Sequence, residues 1–438
     1  MTGATPIGSV ARPPRTPKSP PPQITSSTAI NAFAAAIANA PTRHTAHAVS
    51  DAFWQTVAAR GTPLVEPRGT QRAVTFLWRD RHGTGLGTRT VALLANKLTD
   101  PSVWPESQLH RIEGTDVWHR TYLLPSAWHG SYQVAPDDGA VPAAAAQGPA
   151  DGPRIRWAGL ATRAVPDPFC QQHLPGRPGE PALSVATLDG APTQHWREPR
   201  DDVPRGTLRE TTAPLLGHNR RCWIYEPPVR DAAAPTPHNL LVVLDGEDWA
   251  TRLALPTTLD NLIADGAIPP TAAVLVDAID TPTRWRELAC SDAFSTALAT
   301  ELRGWAGREL PGCLGGRTML SGRSLGGLTA LWIAREHPTA FDVIHAQSPS
   351  LWWPAGSEPD RQAGWLAAAL ASAPHPLPQL HIDVGRQEWM LLTPARELAA
   401  AAGNRTAVHL AEYEGGHDVW CWRGALARAL VAAHAARA

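Results

Sequence analysis

The stretch "SGRSLGGLTALWIAREHP", Ser321–Pro338, decides how this chain is read. Its Gly322-Arg323-Ser324-Leu325-Gly326 core is a G-x-S-x-G pattern, which by itself is weak and takes its meaning from its flanks. The apolar run "RTML" before it reads as a strand. Leu325 to His337 reads as a helix that stops before Pro338, because a residue preceding proline is disfavoured in helical backbone. Glycines at 322, 326 and 327 allow a tight strand-to-helix turn with the serine at its tip. The N–H groups of the first helical turn lack intrahelical acceptors and face the same space, where they can stabilise a developing oxyanion. Ser324 is therefore the candidate nucleophile, and Leu325 N–H the first oxyanion donor.

Outward from this turn, the chain from about Gly206 alternates apolar runs with helix-length segments. The runs are "NLLVVLDG", "AAVLVDAID", "RTMLSG", "FDVIHAQSP", "QLHIDVG" and "AVHLAEYEGG"; helical stretches include Asp292 to Trp305 and Pro394 to Ala402. Continuous apolar strands separated by helices predict an α/β hydrolase domain over 206–438, a mostly parallel sheet with helices on both faces. In such a sheet the acid and then the histidine follow the serine. His417, in "YEGGHDVWCW", comes after the last strand and a Gly-Gly turn, and is the candidate general base. "HIDVGRQEW" offers two orienting acids, Asp383 within the strand and Glu388 beyond the Gly385 turn; loops past strand ends favour Glu388. Asp418 adjoins the histidine and is expected to make a local turn hydrogen bond. The turn "LDGEDW" supplies the second oxyanion donor near Gly246 or Glu247. Its carboxylates have no neighbouring histidine at a ligand spacing, so no metal site is expected.

Before this domain lie short alternating strands. "AVTFLWRD" puts Val74, Phe76 and Trp78 on one face; "TVALLAN", "DVWHRTYLLP" and "GSYQVAPDD" follow. They predict an all-β, Ig-like sandwich over 45–205, ending in a long irregular connection through "AVPAAAAQGPADGP". Residues 1–44 are Pro/Ser/Thr/Ala-rich and predict a disordered tail running into a short helix. "AINAFAAAIANA" superficially resembles a signal peptide, but its polar leader is long and Asn31 interrupts the apolar core.

Composition narrows the function. A net charge of −1 over 438 residues gives no footprint for nucleic acid or an anionic membrane, and no apolar run reaches a membrane span. Five scattered cysteines without C-x-x-C spacing fit a reducing cytoplasm, although Cys290 and Cys421 form one conceivable pair. The eighteen tryptophans are expected mostly in cores, with some free to line a pocket for a flat aromatic ligand. A monomer or weak homo-oligomer is expected.

Several motifs together, "DGEDWA", "VDAIDTPTRWRELAC", "SGRSLGGLTALW", "SPSLWW" and "GGHDVWCWRGAL", resemble the enterochelin (enterobactin) esterases. The N-terminal "VTFLWRD" and "GTDVWHRTYLLPSAWHGSYQVAP" resemble that family's own N-terminal domain. The resemblance implies a cytoplasmic serine esterase that hydrolyses the trilactone of a ferric catecholate siderophore. Ser324 and His417 fall on the nucleophile and base positions, and Glu388 near the acidic one. It needs no cofactor, since iron arrives with the substrate. Arg284, with Arg286 beside it, Trp352 and Trp353 are candidate contacts for a bulky aromatic anion. Arg323 departs from the neutral residue expected before the nucleophile, and is a further candidate substrate contact. Another macrolactone, a feruloyl or a cell-wall ester is the alternative substrate, and a non-catalytic binding protein on a hydrolase fold the alternative class.

Overall fold

The computed structural model describes residues 13–80, 87–139, 152–228, 238–354 and 364–435. The chain forms two compact units. One is Pro17–Pro192 together with Tyr413–Cys421; the other is Thr193–Glu412 together with Trp422 onward.

In the first unit, eight strands join in one hydrogen-bonded series. They are β1 (Leu64–Arg68), β2 (Gln71–Arg79), β3 (Thr90–Ala95), β4 (Gln108–Arg111), β5 (Val117–Pro125), β6 (His129–Asp137), β7 (His173–Leu174) and β8 (Leu183–Thr187). Their order is β1-β2-β5-β4-β3-β6-β8-β7. Alternation sends Val74 and Phe76 of β2, Tyr122 of β5, Leu93 of β3 and Tyr132 of β6 into one core. Phe76 meets Tyr132 edge to face with ring centroids 4.8 Å apart, so the series folds over and its β2–β5 half faces its β3–β6 half. Arg120 also points inward, and its guanidinium donates to the backbone carbonyls of Gln108 (2.5 Å) and Pro105.

Two expectations change here. The segment 17–44 is ordered rather than a tail: Leu123 N–H donates to Gln23 O at 2.8 Å, and Ser27 caps a helix, Thr28–Ala38, by accepting from Ile30 N–H. Ile30 and Phe33 of that helix are buried with Trp54, Val57, Leu77 and Val117. The Pro/Ser/Thr/Ala-rich composition hid this because only a few large apolar residues, Ile30, Phe33 and Ile37, carry the docking. Nor is the stretch after β6 merely irregular, since its described part contains a helix, Gly152–Ala161, and returns to pair β8 with β6. Residues 140–151, the core of the proposed connection, lie outside the described residues.

The second unit carries β9 (Thr207–Leu215), β10 (His218–Glu226), β11 (Asn239–Leu244), β12 (Thr271–Val276), β13 (Thr318–Arg323), β14 (Val343–Gln347), β15 (Gln379–Gly385) and β16 (Val408–Tyr413). The order is β16-β15-β14-β13-β11-β12-β10-β9. The run β12-β11-β13-β14-β15 is parallel, while β10 pairs antiparallel with both β12 and β9. The sheet is thus mixed: an antiparallel ribbon extends the parallel core expected from the apolar runs. Residues 193–205 belong to this unit rather than to the β-rich one; Trp196 Nε1 and Arg200 Nη2 donate to Asp265 at 2.9 and 2.7 Å. All five cysteines are free and buried, so Cys290 and Cys421 form no disulfide.

The docking of the N-terminal helix is testable. Phe33→Ala should destabilise the β-rich unit by about 3–5 kcal/mol, the usual range for emptying a buried aromatic position. A shift of its urea midpoint measures this, and a disordered tail would show none.

Candidate active site

The backbone isolates Ser324. It sits between β13 and the helix Leu325–Glu336 at φ 56° and ψ −118°, a left-handed conformation that costs a non-glycine residue about 1–3 kcal/mol. From Ser321 to Ala330 it alone is not buried. The turn is held on both sides: Ser324 N–H donates to Gln347 O at 2.8 Å, and Ser324 O accepts from Ser350 N–H at 3.0 Å. Its Oγ lies 3.2 Å from Ser350 Oγ. A Cβ on Gly322 would stand 2.2 Å from Gly326 O, so only glycine lets β13 approach the helix this closely. Leu325 occupies the first helical position, where the N–H has no intrahelical acceptor.

The second oxyanion candidate is also fixed by close approach. Gly246 follows Asp245, which is left-handed at φ 59°, and opens the short helix Gly246–Ala250. A Cβ there would lie 2.4 Å from the carbonyl carbon of Leu275 on β12.

The arginines expected to meet substrate have a different occupation. Arg323 is 3 % exposed. Its Nε donates to Asp245 Oδ2 at 3.3 Å, its Nη2 to Asp248, and its guanidinium lies 5.5 Å from the Trp422 ring centroid. Substrate contact by Arg323 is therefore corrected: the side chain is buried because two buried carboxylates, Asp245 and Asp248, receive it. Arg284 grips the same Asp245 in a fork, Nε to Oδ1 at 2.5 Å and Nη2 to Oδ2 at 2.8 Å, leaving its side chain 22 % exposed. Glu287, its conceivable partner in sequence, is taken by Arg220 instead. Arg286 is exposed and donates to Thr283 Oγ1. Burial would raise the Asp245 pKa, but Arg284 and then Arg323 outweigh it and hold the carboxyl below its ordinary value. The acidic turn is thus matched by arginines.

The tryptophans divide. Trp353 is 7 % exposed and packs in the core against Trp365, ring centroids 5.9 Å apart, so its expected substrate contact is corrected. Trp352 is half-buried and faces Trp285, centroids 6.0 Å apart. Trp285 and Ser350 were not singled out in the sequence; the only signals were their places inside "TPTRWREL" and "SPS".

The acids also divide. Asp383 Oδ2 lies 2.5 Å from His345 Nε2, and His345 Nδ1 lies 3.0 Å from Ser321 Oγ. This buried Ser-His-Asp chain crosses β13, β14 and β15 and engages Asp383 within the sheet. Glu388 is fully buried just past β15, where its Oε1 accepts from Gly385 N–H at 2.8 Å and Ser348 Oγ at 2.6 Å. Ser348 Oγ in turn accepts from Trp422 Nε1 at 2.9 Å.

His417 belongs to the other compact unit, in the loop between β16 and the helix Val419–Ala435, and is half-buried. Asp418 makes the expected local bond, accepting from Trp420 N–H at 2.8 Å. It also accepts from Ser131 N–H at 3.1 Å and Ser131 Oγ at 2.6 Å, which sequence proximity did not indicate.

Removal of the Asp245 carboxylate should be costly. Asp245→Ala leaves two guanidinium groups facing each other without their shared anion, and should destabilise by about 3–5 kcal/mol in a chemical melt. Because the folded pKa is depressed, the stabilisation is complete above the ordinary carboxylate range and lost as pH falls through the folded value. Asp245→Asn should accordingly flatten the stability loss below about pH 4.

The chain matches known proteins across both units. The family model "Enterochelin esterase, N-terminal" matches residues 73–197, and "Putative esterase" matches 213–433. An iron(III) enterobactin esterase of Dickeya dadantii is 34% identical over 86% of this chain and 91% of its own. An iron(III) salmochelin esterase of Escherichia coli is 30% identical over 85% and 91%. Among solved structures, a ferric enterobactin esterase from Salmonella typhimurium superposes with a TM-score of 0.74 at 29% identity, covering 87% of this chain and 98% of that one. The enterobactin esterase of Shigella flexneri, crystallised in the presence of enterobactin, gives 0.71 at 29% identity, covering 87% and 97%. An elbow serine after a parallel strand, carried on a mixed sheet that follows a β-rich unit in the chain, and matches of this breadth place the chain in the enterochelin esterase family.

Proposed function

We propose that this protein is a serine esterase that opens the trilactone backbone of a ferric catecholate siderophore. One observation carries the chemistry: the left-handed, partly exposed Ser324 at the strand-to-helix turn. The relatives named for iron(III) enterobactin and salmochelin supply the substrate class. His417 takes the Ser324 proton as the oxygen attacks a lactone carbonyl, and Glu388 orients and stabilises the resulting imidazolium. Asp383 is the weaker choice for that role because His345 already occupies it. The oxyanion is met by the N–H groups of Leu325 and Gly246. Collapse of the tetrahedral intermediate expels the seryl alkoxide, protonated by His417, and a water activated by the same imidazole then hydrolyses the acyl-enzyme.

We read the second unit as an α/β hydrolase, since its strand order places Ser324 after the fifth strand, Glu388 after the seventh and His417 after the eighth. We read the β-rich unit as an Ig-like sandwich, on the facing of its two halves. The Trp285–Trp352 pair offers flat apolar surface to a catechol ring, and Arg284, next to Trp285 in the chain, keeps part of its side chain exposed although its charge is paired with Asp245. No cofactor is required, since iron is cargo. Five buried free thiols fit a cytoplasmic setting. Among the described residues no helix is long and apolar enough to cross a membrane.

Chromatography of products from ferric and iron-free enterobactin should show cleavage by the wild type and none by Ser324→Ala, with binding retained. Normal hydrolysis by that variant sinks the assignment. Faster turnover of feruloyl esters than of either trilactone would shift the substrate class. Trp352→Ala should raise KM for the ferric complex about tenfold, in line with the loss of one aromatic stacking surface, while leaving kcat within a factor of two or so.

A further inference from the structure

The loop that carries His417 is fastened to the β-rich unit. It lies between β16 and the helix Val419–Ala435, and besides Tyr413 Oη of β16, which donates to Gly416 O at 3.1 Å, its described anchors include residues of β6 and of the turn after β3. Glu414 O accepts from His129 N–H at 3.0 Å, and Cys421 Sγ donates to His129 O at 3.3 Å. A Cβ on Gly416 would stand 2.0 Å from Asn96 O, so the backbone lies directly on that turn. Between these points Asp418, 5 % exposed, receives both the N–H and the hydroxyl of Ser131, while its other oxygen accepts from Trp420 N–H.

We infer that Ser131 and Asp418 are positioning residues for catalysis: this hydrogen-bonded pair clamps the loop that carries the general base. This rests on His417 being the base. The chemistry of the pair argues for more than filling space. Its described partners are neutral N–H and O–H groups, and burial accordingly lifts the Asp418 pKa above its ordinary value despite them. A buried carboxylate without a cation is an expensive way to close a turn, which an asparagine would close at less cost. A carboxylate does accept the strongest hydrogen bonds available from three donors on two chain segments 287 residues apart. The residue so fixed is the immediate neighbour of His417. A base must be held to well under an ångström, since a displacement of about 1 Å can cost roughly a hundredfold in rate.

The test uses the full-length chain and two independent rates. Ser131→Ala, Ser131→Thr and Asp418→Ala are compared for turnover of ferric enterobactin and for labelling of Ser324 by a fluorophosphonate, which needs the base but not the substrate's shape. Ser131→Ala and Asp418→Ala should lower kcat and the labelling rate together, by about 10- to 100-fold, with KM little changed. Ser131→Thr, which keeps the hydroxyl, should recover most of both. Melting curves give the folded fraction, and Ser131→Ala, the milder change, stands if Asp418→Ala does not fold. Losses no larger than the unfolded fraction, or a rise in KM at unchanged labelling, would overturn the clamp. Failure of the wild type itself to label would instead remove the serine-hydrolase reading beneath it.

Discussion

The carboxylate of Asp245 is the constraint on which the hydrolase unit's working end depends. It stands just past β11, accepts a fork from Arg284 on the helix that follows β12, and accepts again from Arg323 at the end of β13. Three adjacent strand ends are thereby tied to one buried anion. Two residues sit beside that tie in the chain, Gly246 after Asp245 and Ser324 after Arg323. Both are set by backbone that tolerates little movement: Gly246 has no room for a Cβ, and Ser324 is in a left-handed conformation. Buried ion pairs of this kind contribute little net stability because desolvation offsets attraction, but losing one partner is costly. That asymmetry suits a site in which geometry matters more than stability.

A second theme is a serine–histidine–acid chain close in sequence to the proposed nucleophile. Ser321, His345 and Asp383 form a hydrogen-bonded chain across β13, β14 and β15, yet all three are buried in the sheet. Three residues further on, Ser324 has left the strand and its side chain is partly exposed. Residue types alone do not separate this chain from the proposed Ser324, His417 and Glu388. Exposure does, because a nucleophile that no substrate can reach performs no chemistry.

Much of this was legible in the sequence for identifiable physical reasons. The parallel strands appeared as continuous apolar runs because both their faces are covered, and the elbow appeared because glycine, serine and a following helix are each required by its geometry. The β-rich strands from Val74 to Leu124 appeared through alternation of period two. What escaped notice lacked a local signature. The ribbon of β9 and β10 carries many polar residues on its exposed outer strand. The helix Thr28–Ala38 docks through Ile30 and Phe33 inside a stretch that composition marks as a tail. Arg323 looked like a ligand for substrate because a charge beside a nucleophile suggests one, and nothing local announces that Asp245 and Asp248 wait 78 and 75 residues away.

Family, class of chemistry and the strand-to-helix turn that carries the proposed nucleophile were readable from the sequence, since these depend on short-range backbone requirements and on motifs in order. Tertiary structure alone decided which charged and aromatic side chains are occupied: Arg323 with its two carboxylates, Asp383 with His345, Trp353 in the core, Asp418 with Ser131. Pairing energies between groups distant in the chain depend on burial and on distances of about 3 Å, and neither is encoded in any window of sequence short enough to read.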